Sequence, residues 1–158
     1  MKTIPLTRGM VALVDDCDFE FLNQWKWMAS CCRGVFYARR FIWVNRKNKG
    51  IFMHRLIAGA APGQTVDHED HCTLNNQRCN LRLCSITQNN GNQILRKTST
   101  SGFKGVYHHS QGKWAATIKT KFLGLFETPA LAAARYDQAA IETFGEFALT
   151  NKALGLLN

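Results

Sequence analysis

The middle of this chain concentrates polar side chains that can bind a metal ion or accept a proton. Asp67 and His68 are adjacent, and Asn80 and Asn89 follow twelve and then nine residues later. Asp67 offers the hard anionic oxygen that magnesium prefers, and Asn89 can add a neutral carbonyl oxygen. His68 can act as a general base on water, while Asn80 can bond to its ring and fix the tautomer. Since two protein ligands would leave positions for water and phosphate oxygens, this set predicts metal-assisted phosphodiester hydrolysis.

The sequence around these residues predicts a strand, a loop, a second strand and a helix, in that order. Thr65–His68 has the pattern of a strand end, and the Asn-rich segment after it has no apolar period. Leu81–Cys84 alternates apolar and polar residues, as a short strand does. Ser85 and Gln88 have the spacing of a capping box, so a helix that carries Asn89 on its first turn should follow.

The full motif consists of Asp67-His68, Asn76, Asn80-Leu81-Arg82 and Asn89, with the lead-in segment Phe52-Met53-His54-Arg55-Leu56-Ile57. It resembles the HNH endonucleases of the ββα-metal (His-Me finger) class, above all the phage and mobile-element homing branch in which Asn replaces the last His. The resemblance implies that Asp67 and Asn89 bind one divalent ion, Mg²⁺ or Mn²⁺. It also implies that His68 is the general base and that Asn80 orients it. The family's loop often has glycine where this chain has His71-Cys72-Thr73.

Residues 1–60 have mostly β character, and one hairpin within them is both basic and aromatic. Segments 35–44 and 50–53 flank the polar turn 45–49. Two interpretations stay open: a solvated hairpin with an aromatic core face, or a surface that contacts DNA phosphates beside the site. His54, on a short helix over 54–58, is a structural histidine, a DNA contact or a group that supports the active-site residues from behind. The cations of this surface are Arg39, Arg40, Arg46, Lys47 and Lys49.

Residues 102–151 predict a second unit of three strands and one helix. The strands cover 104–109, 113–119 and 122–126, and Thr128 caps a helix that has Pro129 at its first position. The motifs are Phe103-Lys104-Gly105-Val106, Gly112-Lys113-Trp114-Ala115-Ala116-Thr117-Ile118, Leu123-Gly124-Leu125-Phe126, Ala132-Ala133-Ala134-Arg135-Tyr136-Asp137 and Phe144-Gly145-Glu146. This unit resembles the Apetala-two/ethylene-response-factor DNA-binding domain, which implies that its sheet lies in the major groove of DNA.

Alternation along the three strands assigns the two faces of this second sheet. The set expected to face the helix is Val106, Trp114, Ala116, Ile118, Leu123 and Leu125. The set expected on the open face, as DNA contacts, is Tyr107, His109, Lys113, Thr117, Lys119 and Phe122. Because these differ from the arginines and tryptophans of the plant family, the resemblance does not carry over a target sequence.

The overall charge favours a polyanionic partner. The chain has 158 residues, with 20 Lys and Arg against 11 Asp and Glu and a net charge of +9. No apolar stretch of about 18 residues occurs, and the N-terminus lacks the apolar core of a signal peptide. We therefore expect a cytoplasmic protein, which the resemblance places in a bacterial or phage-infected cell.

Six cysteines occur in the chain, and none of them forms a Cys-x-x-Cys pair. Buried thiols are therefore the default interpretation, and no structural zinc is expected. A site built from His71, Cys72, Cys79 and Cys84 is the alternative.

These patterns predict an α+β chain. Residues 1–95 form a nuclease domain with a β-rich N-terminal part and a ββα-metal motif at about 65–95, 96–101 a linker, 102–151 a DNA-binding domain and 152–158 a tail. The expected function is a metal-dependent endonuclease that nicks or cuts duplex DNA, as a monomer or a homodimer. The alternative is a catalytically inactive regulator that binds specific DNA sequences on the same scaffold.

Overall fold

The computed structural model describes residues 1–32, 34–95 and 98–157, and it has the predicted α+β class. The chain divides into two compact units, Met1–Ser85 and Ile86–Asn158. The elements of the first unit are β1 Lys2–Pro5, β2 Val11–Val14, α1 Asp16–Asn23, β3 Met28–Cys32, β4 Val35–Val44, β5 Lys47–Phe52, α2 Met53–Ile57, β6 Thr65–His68 and β7 Leu81–Cys84. Those of the second unit are α3 Ile86–Gly91, β8 Val106–His108, β9 Trp114–Ile118, β10 Lys121–Phe126 and α4 Pro129–Phe144.

The first unit contains three small antiparallel sheets around one core. β1 pairs with β2, β4 lies between β3 and β5, and β6 pairs with β7. The indole of Trp27 is buried in this core and donates to the Leu22 carbonyl at 2.8 Å, so its one polar atom is satisfied. The largest fully buried apolar side chains here are Ile4, Val14, Leu22 and Met53.

The predicted basic hairpin is present as β4 and β5, although β5 begins at Lys47 and not at residue 50. Asn45 and Arg46 form its two-residue turn, with φ of 49° and 59°. A type I′ turn needs positive φ at both central residues, and this turn matches the twist of paired strands. The strands therefore continue to the tip and carry the aromatic and basic side chains on rigid backbone.

The second unit is a three-stranded antiparallel sheet, in the order β10-β9-β8, with α4 against one face. The Thr128 hydroxyl accepts from the Leu131 N–H at 3.3 Å and caps α4, as predicted. Gly145 ends the helix with φ of 58°, a left-handed conformation that glycine adopts without strain. Alanines of α4 let the helix lie close to the sheet, since Ala132 and Ala133 are fully buried.

The boundary between the units precedes the predicted one, because α3 belongs to the second unit. A Cβ at Gly91 would overlap Phe144, so the end of α3 lies directly against α4. The Lys104 ammonium donates to the carbonyls of Gly91 at 2.7 Å and Leu149 at 2.9 Å. Of the predicted linker 96–101, Arg96 and Lys97 lie outside the described residues. The Ser101 hydroxyl donates to the Val106 carbonyl at 2.7 Å, so the last linker residue is part of the second unit.

Within the described ranges, none of the helices has the length and apolar character that crossing a bilayer requires.

Candidate active site and nucleic-acid surfaces

Asp67 and His68 are the last two residues of β6, and both are 6% exposed. The pairing of β6 with β7 sets Asp67 opposite Arg82. The Arg82 Nη2 donates to the Asp67 Oδ2 at 2.6 Å, and its Nη1 lies 3.3 Å from the Glu69 carboxylate. A charge-assisted bond of this length fixes the carboxylate in place. The strand pair thus presents a buried, oriented carboxylate next to a buried imidazole.

The loop that follows His68 is held by Asn80. Its Oδ1 accepts from the Asp70 N–H at 2.9 Å, and its Nδ2 donates to the Asn75 carbonyl at 2.8 Å. Its own carbonyl accepts from the Glu69 N–H at 3.0 Å. Both ends of the carboxamide thus bind the loop backbone. The predicted bond from Asn80 to the His68 ring stays a prediction.

A tight turn begins at His68 itself. The His71 N–H donates to the His68 carbonyl at 3.1 Å, and His71 has φ of 62°. The His71 backbone thus adopts the left-handed conformation that favours glycine, the residue that the resemblance to the HNH family implies in this part of the loop. Burial raises the pKa of Asp70, but hydrogen bonds from the Asn75 amide and the Cys72 N–H outweigh it and lower the pKa overall. An ionised Asp70 thus stabilises the turn.

The His68 imidazole lies in a cluster of rings. Its centroid is 5.0 Å from that of His54 and 6.3 Å from that of Tyr37. Burial lowers the pKa of His68 below its ordinary value, although Asp70, Asp67 and a hydrogen bond with the Asn76 side chain act in the opposite direction. Asn76 is fully buried. The ring is consequently neutral at neutral pH and able to accept a proton.

Asn76 is a site residue to which sequence reasoning gave no role. The signal was present, because Asn76 stands within the motif that resembles the HNH family. A lone Asn in an Asn-rich segment reads as a turn former, however, and only the fold shows that it is buried beside the imidazole.

His54 is buried, in contrast to the surface DNA contact that was one prediction for it. It is 8% exposed, because α2 turns this side of the helix inward. Its ring contacts Phe52 at 5.4 Å and Tyr37 at 5.6 Å between centroids. Burial, with smaller effects of His68 and Arg55, lowers the pKa of His54 to about 3. Its Nδ1 is buried without a hydrogen-bond partner among the described residues. His54 is thus a neutral ring that supports the site from within.

The loop between β6 and β7 is tied to the N-terminal elements by residues far away in sequence. The Asp15 carboxylate accepts from the Gln77 amide at 3.1 Å and from the Arg78 N–H at 2.7 Å. The buried Asp18 accepts two bonds from the Arg78 guanidinium, at 2.8 and 2.6 Å. No local pattern revealed this anchor, since its partners are some 60 residues apart in sequence.

Asn89 lies on the first turn of α3, where the capping box predicted it, and is half-buried in the second unit. Its predicted role as the second metal ligand to Asp67 stays a prediction. Within the described ranges, no three His, Cys, Asp or Glu side chains come together to hold a metal. The Asp67 carboxylate alone is a hard anionic oxygen of the kind that a hard divalent ion prefers.

The hairpin cations fall into two groups. Arg39 and Arg40 lie on aromatic rings: the Arg39 guanidinium is 4.5 Å from the Phe41 ring, and that of Arg40 is 4.0 Å from the Trp25 ring. The other three point to solvent at the tip and along β5, and they are Arg46, Lys47 and Lys49. The side chains of this second group are exposed and can follow a phosphate backbone.

Among the predicted DNA contacts of the second sheet, Tyr107, Thr117 and Phe122 share one face. Phe122 pairs with Thr117 across the strands, and Tyr107 and Phe122 are exposed. Leu125 was predicted to face the helix, but it pairs with Ala115, which also pairs with Tyr107. Leu125 therefore lies on the same open face as Tyr107. A bulge between Phe122 and Gly124 adds one residue and reverses the alternation after it.

The remaining predicted contacts lie at the ends of the strands. Lys119 is in the turn after β9, with φ of 52°. Lys113 precedes β9 and pairs with Glu127 at 2.7 Å. His109 follows β8, and its Nδ1 accepts from the Gln111 N–H at 3.3 Å within the hairpin turn. These three side chains thus lie at the ends of the strands and not on the open face of the sheet.

Comparison with known proteins gives the family. No protein-family model matches the chain. An uncharacterized HNH endonuclease of Acanthamoeba polyphaga mimivirus is 31% identical over 157 residues, which covers 92% of this chain and 76% of that protein. The chain belongs to the HNH endonuclease family. This membership supports a nuclease function.

Part of this chain is also similar to plant proteins. APETALA2-like protein 2 of Oryza sativa is 43% identical over 70 residues, 37% of this chain and 16% of that protein. An ethylene-responsive transcription factor of Arabidopsis thaliana is 34% identical over 95 residues, 54% of this chain and 58% of that protein.

Proposed function

We propose that this chain is a metal-dependent DNA endonuclease of the homing type, which hydrolyses phosphodiester bonds in duplex DNA. The observation that carries the proposal is the buried pair Asp67 and His68 at the end of β6, beside a loop that Asn80 pins at three points. A rigid carboxylate and a neutral imidazole side by side suit hydrolysis better than binding.

His68 acts as the general base. Because its pKa is lowered, the imidazole is neutral and can take a proton from the attacking water. The water oxygen forms its bond to phosphorus as the bond from phosphorus to the leaving oxygen breaks, and the leaving oxygen takes a proton from solvent. The rings of His54 and Tyr37 hold the imidazole in one orientation, so it gives up little rotational freedom when the reaction begins.

A divalent ion, Mg²⁺ or Mn²⁺, would be held by Asp67 and Asn89. When bound, it would neutralise the charge that builds on the phosphate and the leaving oxygen. Arg82 contributes from the protein side, because its bond to Asp67 keeps one carboxylate oxygen in a fixed direction. Asn80 acts at one remove: it holds the loop and thereby the end of β6.

DNA binding is divided between the two units in this proposal. The resemblance of residues 102–151 to the Apetala-two/ethylene-response-factor domain supports the sheet as the surface that reads base edges, with Tyr107, Thr117 and Phe122 on the contacting face. The exposed cations Arg46, Lys47 and Lys49 contact phosphates near the scissile bond and set the register without reading sequence.

A catalytically inactive DNA-binding regulator is the second candidate function. The observation in its favour is the likeness of part of the chain to a plant transcription factor. Both candidates bind DNA, and only the endonuclease produces new ends.

The deciding experiment is digestion of a mixed phage and bacterial genomic DNA library, with the ends mapped by sequencing. Reactions contain Mg²⁺, Mn²⁺ or a chelator. The endonuclease predicts ends at a restricted set of sites that appear only with a divalent ion. Protected footprints without new ends would identify the regulator instead.

A further inference from the structure

One face of the sheet β3–β5 is aromatic and exposed. The opposite face packs into the core through residues that include Ala29 and Ala38. Because side chains alternate along a strand, the other positions of β4 share the outer face. We call this outer face the aromatic face, and its members are Tyr37, Arg39, Phe41 and Trp43 on β4 and Phe52 on β5. Trp43 is 75% exposed and Phe41 is 43% exposed.

The aromatic face contains a fixed cation. The Arg39 guanidinium lies 4.5 Å from the Phe41 ring and 4.8 Å from the Phe52 ring. It crosses the backbone of Gly50, where a Cβ would overlap it. Its buried Nε has no hydrogen-bond partner among the described residues, so rings and not a carboxylate hold it. A cation in this position is available to an anion that approaches the face.

The charge of this hairpin is complementary to a polyanion. Residues 35–52 contain Arg39, Arg40, Arg46, Lys47 and Lys49 and no Asp or Glu. A basic surface with exposed aromatic rings has the composition of sites that bind single strands. In such sites cations follow the backbone while bases stack on the rings. A surface that binds a protein partner would be expected to combine exposed Trp and Phe with charges of both signs.

The aromatic face is continuous with the candidate active site inside the first unit. The Tyr37 ring lies 6.3 Å from the His68 ring, and the Phe52 ring lies 5.4 Å from that of His54. From Tyr37 to Trp43 the strand rises roughly 20 Å, at about 3.3 Å per residue. A DNA strand that is cut beside His68 can therefore run outward along this face.

We infer that the aromatic face binds unpaired bases of the DNA strand beside the scissile bond. Trp43 and Phe41 stack on bases, and Arg39 binds a phosphate between them. The inference rests on the proposed function for the identity of the nucleic acid as substrate DNA. In an intact duplex the faces of the bases are stacked on each other, so this contact requires nucleotides that are unpaired or turned out. The protein should thus prefer DNA that is locally open.

The test measures binding by the full-length protein in a chelator, where cleavage is switched off. The probes are a fluorescent duplex and the same duplex with a short unpaired bubble, followed by anisotropy. We expect the bubble to bind about tenfold more tightly, the scale of one stacked base. Trp43→Ala should remove this preference and leave duplex binding unchanged, and Trp43→Phe should keep most of it. Phe21→Ala, which removes an exposed aromatic side chain of the same unit outside this sheet, is the matched control.

Gly50→Ala is the second variant, because it changes no charge and removes no ring. It should displace the Arg39 guanidinium and reduce the bubble preference, while circular dichroism stays that of the wild type. An unchanged ratio of bubble to duplex affinity in Trp43→Ala would overturn the inference. So would tighter binding of an RNA strand than of DNA with the same sequence.

The outcome is independent of nuclease activity. A bubble preference that depends on Trp43 would support the inference even if no cleavage were found. Cleavage by a protein whose Trp43→Ala variant keeps the preference would leave the proposed function intact and overturn the inference.

Discussion

His68 carries the chemistry at the scale of single residues. His68→Ala should lower the single-turnover cleavage rate by about 10²–10⁴-fold, the usual effect of losing a general base. Metal affinity, measured by calorimetry, should barely move, because the imidazole is not expected to be a ligand. If metal binding disappeared together with activity, His68 would be a ligand and the assignment of the base would fail.

His54 links the site to the stability of the fold. Its pKa in the folded chain is about 3, whereas the unfolded chain takes up this proton near pH 6.5. Between these two pH values only the unfolded state carries a proton on His54, so the free energy of unfolding decreases as the pH falls. Above the upper value the contribution of His54 is constant. His54→Phe keeps a ring in place and should flatten the slope between pH 6 and 4 by about 1 kcal/mol per pH unit. Urea unfolding at several pH values measures it, and an equal slope in both proteins would contradict it.

At the scale of elements, the loop between β6 and β7 determines whether Asp67 and His68, at the end of β6, are held rigidly. Asn80→Ala leaves the Asp70 N–H and the Asn75 carbonyl without their partner, which should cost about 1–3 kcal/mol of unfolding free energy. Cleavage should decrease as well, while metal-free DNA binding is retained. Cys72→Ser, an exposed change in the same loop, is the control. A variant as stable and active as wild type would show that the loop needs no such anchor.

Local sequence patterns predicted the elements well and their contacts less well. The start of α3 after Ser85, the turn at Asn45 and the Thr128 cap depend on neighbouring residues, so the sequence alone could indicate them. The Asp18 bond to Arg78 and the ring cluster around His68 depend on residues far apart in the chain, and no period marks them. The bulge before Gly124 follows from the pairing of two strands, so alternation within one strand missed it.

At the scale of the whole molecule, the two units should be separable. The second unit begins at Ile86, because α3 contacts α4 through Gly91 and Phe144. A fragment of residues 86–158 should fold alone, show cooperative unfolding by circular dichroism and bind duplex DNA without cutting it. A fragment of 102–158 lacks α3, leaves the Lys104 ammonium without the Gly91 carbonyl and should be less stable. Equal stability of the two fragments would contradict the assignment of α3 to the second unit.

Asp67 is the residue on which the nuclease proposal depends most. Asp67→Asn keeps the shape of the side chain and an acceptor for Arg82, and it removes the negative charge that a divalent ion requires. The measurement is cleavage and binding of one DNA site by wild type and this variant, over a titration of Mg²⁺. We predict that the wild type cleaves only when Mg²⁺ is present and that Asp67→Asn binds the same DNA with unchanged affinity and does not cleave it. Cleavage by Asp67→Asn at the wild-type rate, or wild-type cleavage that needs no divalent ion, would contradict the metal-dependent mechanism.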